Sequence, residues 1–386
     1  MNPRARPQAN IFSPSAPAPA ASHASDVERQ IALSHYAAGE LAQAETFCRG
    51  LCQRYPRDGF GWKVLGATLR RMNQAQASLE PMQIAAKLMP GDWEAFNNLG
   101  TTFDLLAQAE HAQACFEHAV KLKPDFLEAW RNIAENLRRQ NKLDQALHAY
   151  RQVCAAAPAD GYASHMAHTL AGETSERAPD DYVIRVFDDY ADAFDTHLTT
   201  SLAYRVPTDL VALLVRVAAP ATQALDVIDL GCGTGLVGMA IAPFSRTLTG
   251  VDLSPRMVEK SRERGVYQRL VCDDVVRMLR QQPEHSADLL VFADVFIYIG
   301  KLDELMSEAH RVLRPGGRIA FSIETLADAT GPTHRLERSG RYSQSLGYIE
   351  DLASRGAFAV EATEACIIRK EADAPVPGHL FIWQRP

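Results

Sequence analysis

Two spacings of apolar and polar positions divide this 386-residue chain. In the N-terminal part the pattern repeats. Prolines stand at Pro56, Pro90, Pro124 and Pro158, each 34 residues after the last. Between them large and small residues recur at matching offsets: Trp62, Leu65, Gly66 and Ala85; then Phe96, Leu99, Gly100, Phe103, Ala112, Phe116 and Ala119; then Trp130, Ile133, Ala134, Ala146 and Tyr150. A weaker first unit keeps Gly39, Ala44 and Pro56, as expected of an end cap. From Ala224 onward the pattern changes to short apolar runs, LDVIDL, TLTGVDL, RLVCDD, DLLVFADVF and RIAFSIE, separated by helical stretches. Alternating strands and helices predict a largely parallel sheet covered on both faces.

The 34-residue period and its positions resemble the tetratricopeptide repeat, a helix pair that buries its apolar face only by stacking on its neighbours. Gly66, Gly100 and Ala134 then let paired helices approach, and Trp62, Phe96 and Trp130 fill the space between units. Packing, rather than a ligand cage, is the preferred reading of these rings. The resemblance places Lys63, Arg70, Glu94, Asn97, Thr101, Asp104, Glu128, Arg131, Glu135 and Arg138 on a concave groove of mixed sign. A protein or peptide partner is the general expectation for such a surface, with a spacer role as the alternative. The stretch from Ala159 to Pro179 loses the repeat pattern and reads as a capping helix, Tyr162 to Ala171, and a linker; His165 and His168 are expected to be solvated. The division expected is a tail over residues 1–24, four repeats over 25–158, the cap and linker over 159–180, and a second domain over 181–386.

That second domain carries the chemistry. LDVIDL runs directly into Gly231-Cys232-Gly233-Thr234-Gly235 and then LVGMAIA, a strand, glycine turn and helix in which the backbone can come close to a ligand. Gly233, Gly235 and Gly238 satisfy the dinucleotide spacing, but that frame begins two residues beyond the strand end at Leu230, so a nicotinamide reading is rejected. Val227 to Gly235 instead resembles the first motif of the class I S-adenosylmethionine-dependent methyltransferases. The resemblance implies S-adenosylmethionine as cofactor and a Rossmann-like fold with a late antiparallel strand. It places Asp229 towards the methionyl amine, and Gly231, Cys232, Gly233 and Gly235 in the cofactor loop. Asp252 falls where the family holds the ribose hydroxyls, with Leu253 beside it; a helix N-cap before Pro255 is the competing role. Asp273 or Asp274, with Asp274 favoured, falls where an acid accepts from the adenine amino group. The lead-in VFDDYADAFDTHL and LAYRVP resembles that of a bacterial group of methyltransferases carrying tetratricopeptide repeats. There Tyr190, Phe194, Tyr204 and Arg205 would form a lid, with Arg205 facing the methionyl carboxylate, or else an amphipathic helix packed on the domain.

Methyl transfer is an in-line displacement, accelerated chiefly by alignment, and a base is needed only where the acceptor must lose a proton. Asp294 ends the fourth apolar run, on the edge where parallel sheets bind ligands, and is the candidate to orient the acceptor or act as base, with a contact to the cofactor or a loop cap as the alternative. Tyr298, His334 and Tyr342 are candidates for the acceptor pocket. Relatives in the group often carry a His where Gln344 stands. The formal charge of -7 gives no footprint for a nucleic-acid backbone, and no apolar run is long enough for a membrane span. Seven cysteines, scattered singly and odd in number, read as reduced thiols of a cytoplasmic protein, and no metal-ligand spacing is present. The functional expectation is methylation of a small molecule or protein, with the repeats recruiting a protein partner. The rival is a cofactor-sensing scaffold whose repeats do the work.

Overall fold

The computed structural model describes residues 22–191, 194–196, 204–327, 331–371 and 374–386. Most of the tail read from sequence, and residues 192–193 and 197–203 of the lead-in, lie outside these residues. The chain forms two compact units, residues 1–146 and 147–386, and the helix Leu143–Ala156 runs through the division.

The first unit is a succession of antiparallel helix pairs: Asp26–Ala37 with Leu41–Arg54, Gly59–Arg71 with Ala75–Leu88, and Trp93–Leu105 with Ala109–Leu122, followed by Leu127–Arg139. Small residues act as the pattern requires. A Cβ on Gly66 would stand 2.7 Å from Met82, and one on Gly100 would stand 2.5 Å from the Phe116 ring. The Trp62 and Trp130 indoles both donate to the carbonyl of the proline six residues earlier, Pro56 at 3.2 Å and Pro124 at 2.8 Å. Polar links then fix one repeat on the next: Lys63 to Asp92 and Glu94, Asn97 to Glu128, and Arg139 to Asp104. Asn97 is buried by this pairing rather than displayed on a groove.

The second unit is built on a seven-stranded sheet. Its strands are β1 (Leu225–Leu230), β2 (Ser245–Asp252), β3 (Arg269–Cys272), β4 (Ala287–Phe292), β5 (Leu313–Glu324), β8 (Ala359–Glu371) and β9 (Ala374–Gln384), in the order β3-β2-β1-β4-β5-β9-β8. The first five run parallel, and β9 is antiparallel to both β5 and β8. A separate two-stranded ribbon joins β6 (His334–Leu336) to β7 (Tyr342–Gln344). Residue parity sorts the two faces. Ile228, Leu230, Leu290, Phe292, Ile319 and Phe321 pack with the helices Val275–Gln281, Asp303–Val312 and Leu346–Arg355. Val227, Leu289, Val291 and Ala320 pack with Val206–Ala218 and Leu236–Ile241. The fold class expected from the sequence is the one observed.

The stretch before Pro179 departs from the linker reading. The helix Gly161–Ala171 packs on the helix Asp180–Tyr190 of the same unit. His165 is buried, against expectation, with Nε2 2.8 Å from the Gly340 carbonyl oxygen and its ring 4.1 Å from that of Tyr182. Burial pulls its pKa below the usual histidine range. Beyond this helix the chain is bonded residue by residue to the two-stranded ribbon and to the loop after β4. Thr174 accepts from the Leu336 amide, Ser175 pairs with the Tyr342 hydroxyl at 2.6 Å, and the Glu176 carbonyl accepts from Lys301. The Ala178 amide donates to the Tyr298 carbonyl at 2.9 Å. Few apolar residues made this segment look like a spacer, but backbone and hydroxyl hydrogen bonds hold it.

Candidate functional site

Parallel strands end at one edge of the sheet, and there the second unit encloses a cavity of ≈ 840 Å³. Its floor is the turn after β1. The Gly231 and Cys232 amides donate to the Val251 carbonyl at 2.7 and 2.9 Å, which bends the chain across the end of β2. Gly231 takes φ +77, and a Cβ there would stand 2.4 Å from Val295, so only glycine fits. Above Gly233, by contrast, the nearest atom to such a Cβ is a Phe194 ring carbon at 3.8 Å, leaving the backbone open to the cavity. Gly235 and Gly238 serve another purpose. Cβ atoms on them would come within 3.2 and 2.3 Å of Tyr267, whose ring fills the hollow behind the turn. This explains the accidental dinucleotide spacing, since Gly238 makes room for a phenol and not for a phosphate.

The carboxylates divide by depth. Asp252 lines the cavity at the end of β2, where Oδ2 accepts from the Gly233 amide at 2.8 Å and Oδ1 from the Ser254 amide at 2.9 Å. Each oxygen keeps a lone pair for a further donor. The N-cap of the helix Pro255–Arg264 is Ser254, so the capping role weighed for Asp252 belongs to its neighbour. Burial pushes the Asp252 pKa up to about 6, against the pull of its amide donors. Asp229 does not reach the cavity. It shares a face of β1 with Val227, is fully buried, and accepts from the Tyr267 hydroxyl at 2.6 Å. Burial raises it to about 7, with the Asp252 charge adding to the rise.

Asp274 borders the cavity, but its oxygens are largely engaged: Oδ1 caps the helix Val275–Gln281 through the Val276 and Arg277 amides, and Oδ2 meets Arg177 at 2.6 Å. Despite burial its pKa lies below the usual carboxylate value, because Arg177 and the capping amides hold the charged form. Asp273 turns outward to Arg277. Cys232 and Leu253 line the wall.

Upstream chain forms the roof. Tyr190, Phe194 and Tyr204 line the cavity, and the Phe187 ring lies 5.9 Å from that of Phe194 and 5.4 Å from that of Tyr298. Polar links tie the roof to the strand ends: Asp195 to Thr234 after β1 and to Arg264 at the end of the helix after β2, Asp188 to Ser254 after β2, and Arg177 to Asp274 after β3. Arg205 takes no part. Its side chain is 75% exposed and paired with Asp209 one helical turn on, so a place facing a carboxylate in the cavity is ruled out in this structure.

Asp294 closes the far side, just beyond β4, with φ +60 and its amide donating to the Ser322 hydroxyl at 2.8 Å. Beside it Arg369, Glu324, Glu371 and Arg341 form a charged cluster that sequence reading missed. The available signal was Arg369 inside the strand-like run ACIIRKE, where a buried cation demands acidic partners. Tyr298 lines the cavity; His334 and Tyr342 do not. Gln344, at the position of the relatives' His, is buried and donates to the Phe296 and Ile299 carbonyls, a scaffold role for the loop after β4. Among the described residues no group of three metal-ligating side chains converges, and no helix is long and apolar enough to cross a membrane.

Comparison with known proteins agrees with this geometry. The family model described as a methyltransferase domain matches residues 228–321, and that of the tetratricopeptide repeat matches residues 94–126. Methyltransferase-like protein 27 of Homo sapiens is 31% identical over 150 residues, covering 37% of this chain and 58% of that protein. Demethylmenaquinone methyltransferase of Tropheryma whipplei is 30% identical over 103 residues, covering 25% of this chain and 41% of that protein. The chain therefore spans about half the length of these curated relatives. Among solved structures, a Burkholderia thailandensis 1,6-didemethyltoxoflavin-N1-methyltransferase aligns over 55% of this chain and 92% of its own, at 17% identity and a TM-score of 0.42. Residues 228–321 thus match a methyltransferase domain and residues 94–126 a tetratricopeptide repeat, and the strand order and glycine turn of the second unit are those expected of the former.

Proposed function

We propose that the second unit transfers the methyl group of S-adenosylmethionine to an acceptor bound in the same cavity. The observation that carries this reading is the juxtaposition, at one sheet edge, of the open Gly233 backbone and a buried Asp252 with oxygen lone pairs to spare. Asp252 would accept from the two ribose hydroxyls. Gly231, Cys232 and Gly233 would carry the methionyl portion over the turn, and Leu253, Val275 and the edge of Asp274 would flank the adenine. Bound there, the cofactor supplies an electrophilic methyl group on a sulfonium. The aromatic roof of Tyr190, Phe194 and Phe187 would exclude water from that methyl and hold the acceptor in line with it. Asp229 contributes from behind, by fixing Tyr267 under the turn. The repeats, fixed to one another by polar links, suit a protein-recruiting role. The test is incubation of the full chain with methyl-labelled S-adenosylmethionine and cell extract, followed by mass spectrometry. Label appearing in an acceptor supports transfer. Tight cofactor binding with no label leaving it would favour the cofactor-sensing scaffold.

A further inference from the structure

The cavity extends past the proposed cofactor end, from the turn after β1 towards the ends of β4, β5 and β8, and there its charges do not balance. Arg369 is 2% exposed; it is bonded to Glu324 and to Glu371 and lies 3.4 Å from Asp294. Arg341, which also lines the cavity, is bonded to Glu371. Three carboxylates thus share two guanidiniums. Glu324 and Glu371 are each held by a short contact, whereas Asp294 has only the long one through Oδ2. Its Oδ1 has no hydrogen-bond partner among the described residues. The backbone presents this carboxyl deliberately. A non-glycine residue at φ +60 is sterically disfavoured, and the Ser322 hydroxyl on the Asp294 amide holds it there. The rings of Tyr204 and Tyr298 line the same cavity, with Phe187 packed edge-on to Tyr298.

A desolvated wall with one uncompensated carboxylate and several aromatic faces is complementary to a cation. A neutral hydroxyl would leave the charge unbalanced, and a carboxylate or phosphate would add to it. We infer that the methyl acceptor is an amine, anchored as its ammonium by Asp294 and methylated on nitrogen; this rests on the methyl-transfer reading above. In the step, the ammonium first gives up one proton, to Asp294 or to water. The freed nitrogen lone pair then forms the N–C bond as the C–S bond breaks, and the electron pair of that bond stays on sulfur. The sulfonium becomes a neutral thioether, and the positive charge passes to the methylated nitrogen, so no further reactant is required. Burial holds the Asp294 carboxyl above its ordinary range, against the Arg369 and Arg341 charges, which suits it to hold that proton.

The experiment uses the full chain with S-adenosylmethionine isotopically labelled in the methyl carbon, incubated separately with the small-molecule and the protein fraction of an extract. Magnetic resonance of the product distinguishes a methyl on nitrogen from one on oxygen, sulfur or carbon, and the labelled fraction distinguishes a free amine from a lysine or N-terminal amine. A nitrogen-bound methyl is expected. With the acceptor then purified, Asp294→Asn should raise its KM about tenfold to a hundredfold, the loss of one charged hydrogen bond, and leave cofactor affinity unchanged. A methyl on oxygen, sulfur or carbon overturns this inference but not methyl transfer; no transfer at all overturns both. An Asp294→Asn variant whose cofactor affinity falls as far as its acceptor affinity would assign Asp294 to the cofactor's own ammonium and overturn the anchor role.

Discussion

Cofactor affinity should depend on pH through Asp252, and the size of the effect follows from its surroundings. The free protein holds this carboxyl at about 6, against an ordinary value of 3.8, because burial outweighs the Gly233, Leu253 and Ser254 amides. That displacement of roughly two units corresponds to about 3 kcal/mol of disfavour for the charged form. A carboxyl raised in this way binds its proton more tightly folded than unfolded, so rising pH removes stability from the free protein between about 4 and about 6. Two ribose hydroxyls donating to the ionised form would offset that cost, so cofactor should bind the deprotonated state. The affinity constant is then expected to be level above about pH 7 and to fall towards tenfold per unit below about pH 6, with proton release on binding. Titration calorimetry in buffers of different ionisation enthalpy measures both affinity and released protons. Asp252→Asn should weaken binding by about 1 to 3 kcal/mol at high pH, because the amide nitrogen cannot accept a hydroxyl proton. The slope below pH 6 should also be lost. A variant that kept both the wild-type affinity and that acid limb would refute the ribose role of Asp252 and attribute the limb to Asp229, which titrates nearby at about 7.

Other consequences can be checked separately. Residues 159–386 should bind cofactor without the repeats, whereas residues 181–386 should bind it weakly or unfold, because Arg177 and the buried Ala178 form part of the cavity wall; equal affinity of the two fragments, by calorimetry, would return this segment to a linker role. Gly100→Ala should destabilise the first unit by about 1 to 3 kcal/mol, since its methyl would meet the Phe116 ring, and calorimetric unfolding of the full chain should register the change. Tyr267→Phe removes the only hydrogen bond among the described residues to the Asp229 side chain and should cost about 1 to 3 kcal/mol of second-unit stability, more at pH 8 than at pH 5 because the carboxylate is then the form left unpaired.

Periodicity made most of the architecture legible. The 34-residue spacing located the repeats, because stacking forces the same large and small residues to recur. The glycine turn and Asp252 were legible because close backbone approach and a carboxylate at a strand end are local demands. Strand parity could have corrected the placement of Asp229, which alternates with Ile228 and Leu230 and must share the face of Val227. Arg205 misled for a local reason: Asp209 lies one helical turn away and holds the guanidinium outside. The cluster around Arg369 was not legible, because its members come from β5, β8, the ribbon between β6 and β7, and the turn after β4. His165 misled in the same way, since only the fold brings Gly340 to it.

The roof of the cavity is tied to the rest of the domain by polar links. Its rings from Phe187 to Phe194 are joined to the rest of the domain through Asp188, Asp195 and Arg177, which pair with Ser254, with Thr234 and Arg264, and with Asp274. Such pairs are individually modest where solvent reaches them, as at Arg264 and Asp195, whose side chains are 24% and 43% exposed. The pair between Arg177 and Asp274 is the exception, because the Asp274 side chain is only 5% exposed and its loss would leave a buried charge supported by capping amides alone. The roof should therefore open first at the Asp195 end, next to the turn after β1, and last at the Arg177 end, beside the proposed adenine site.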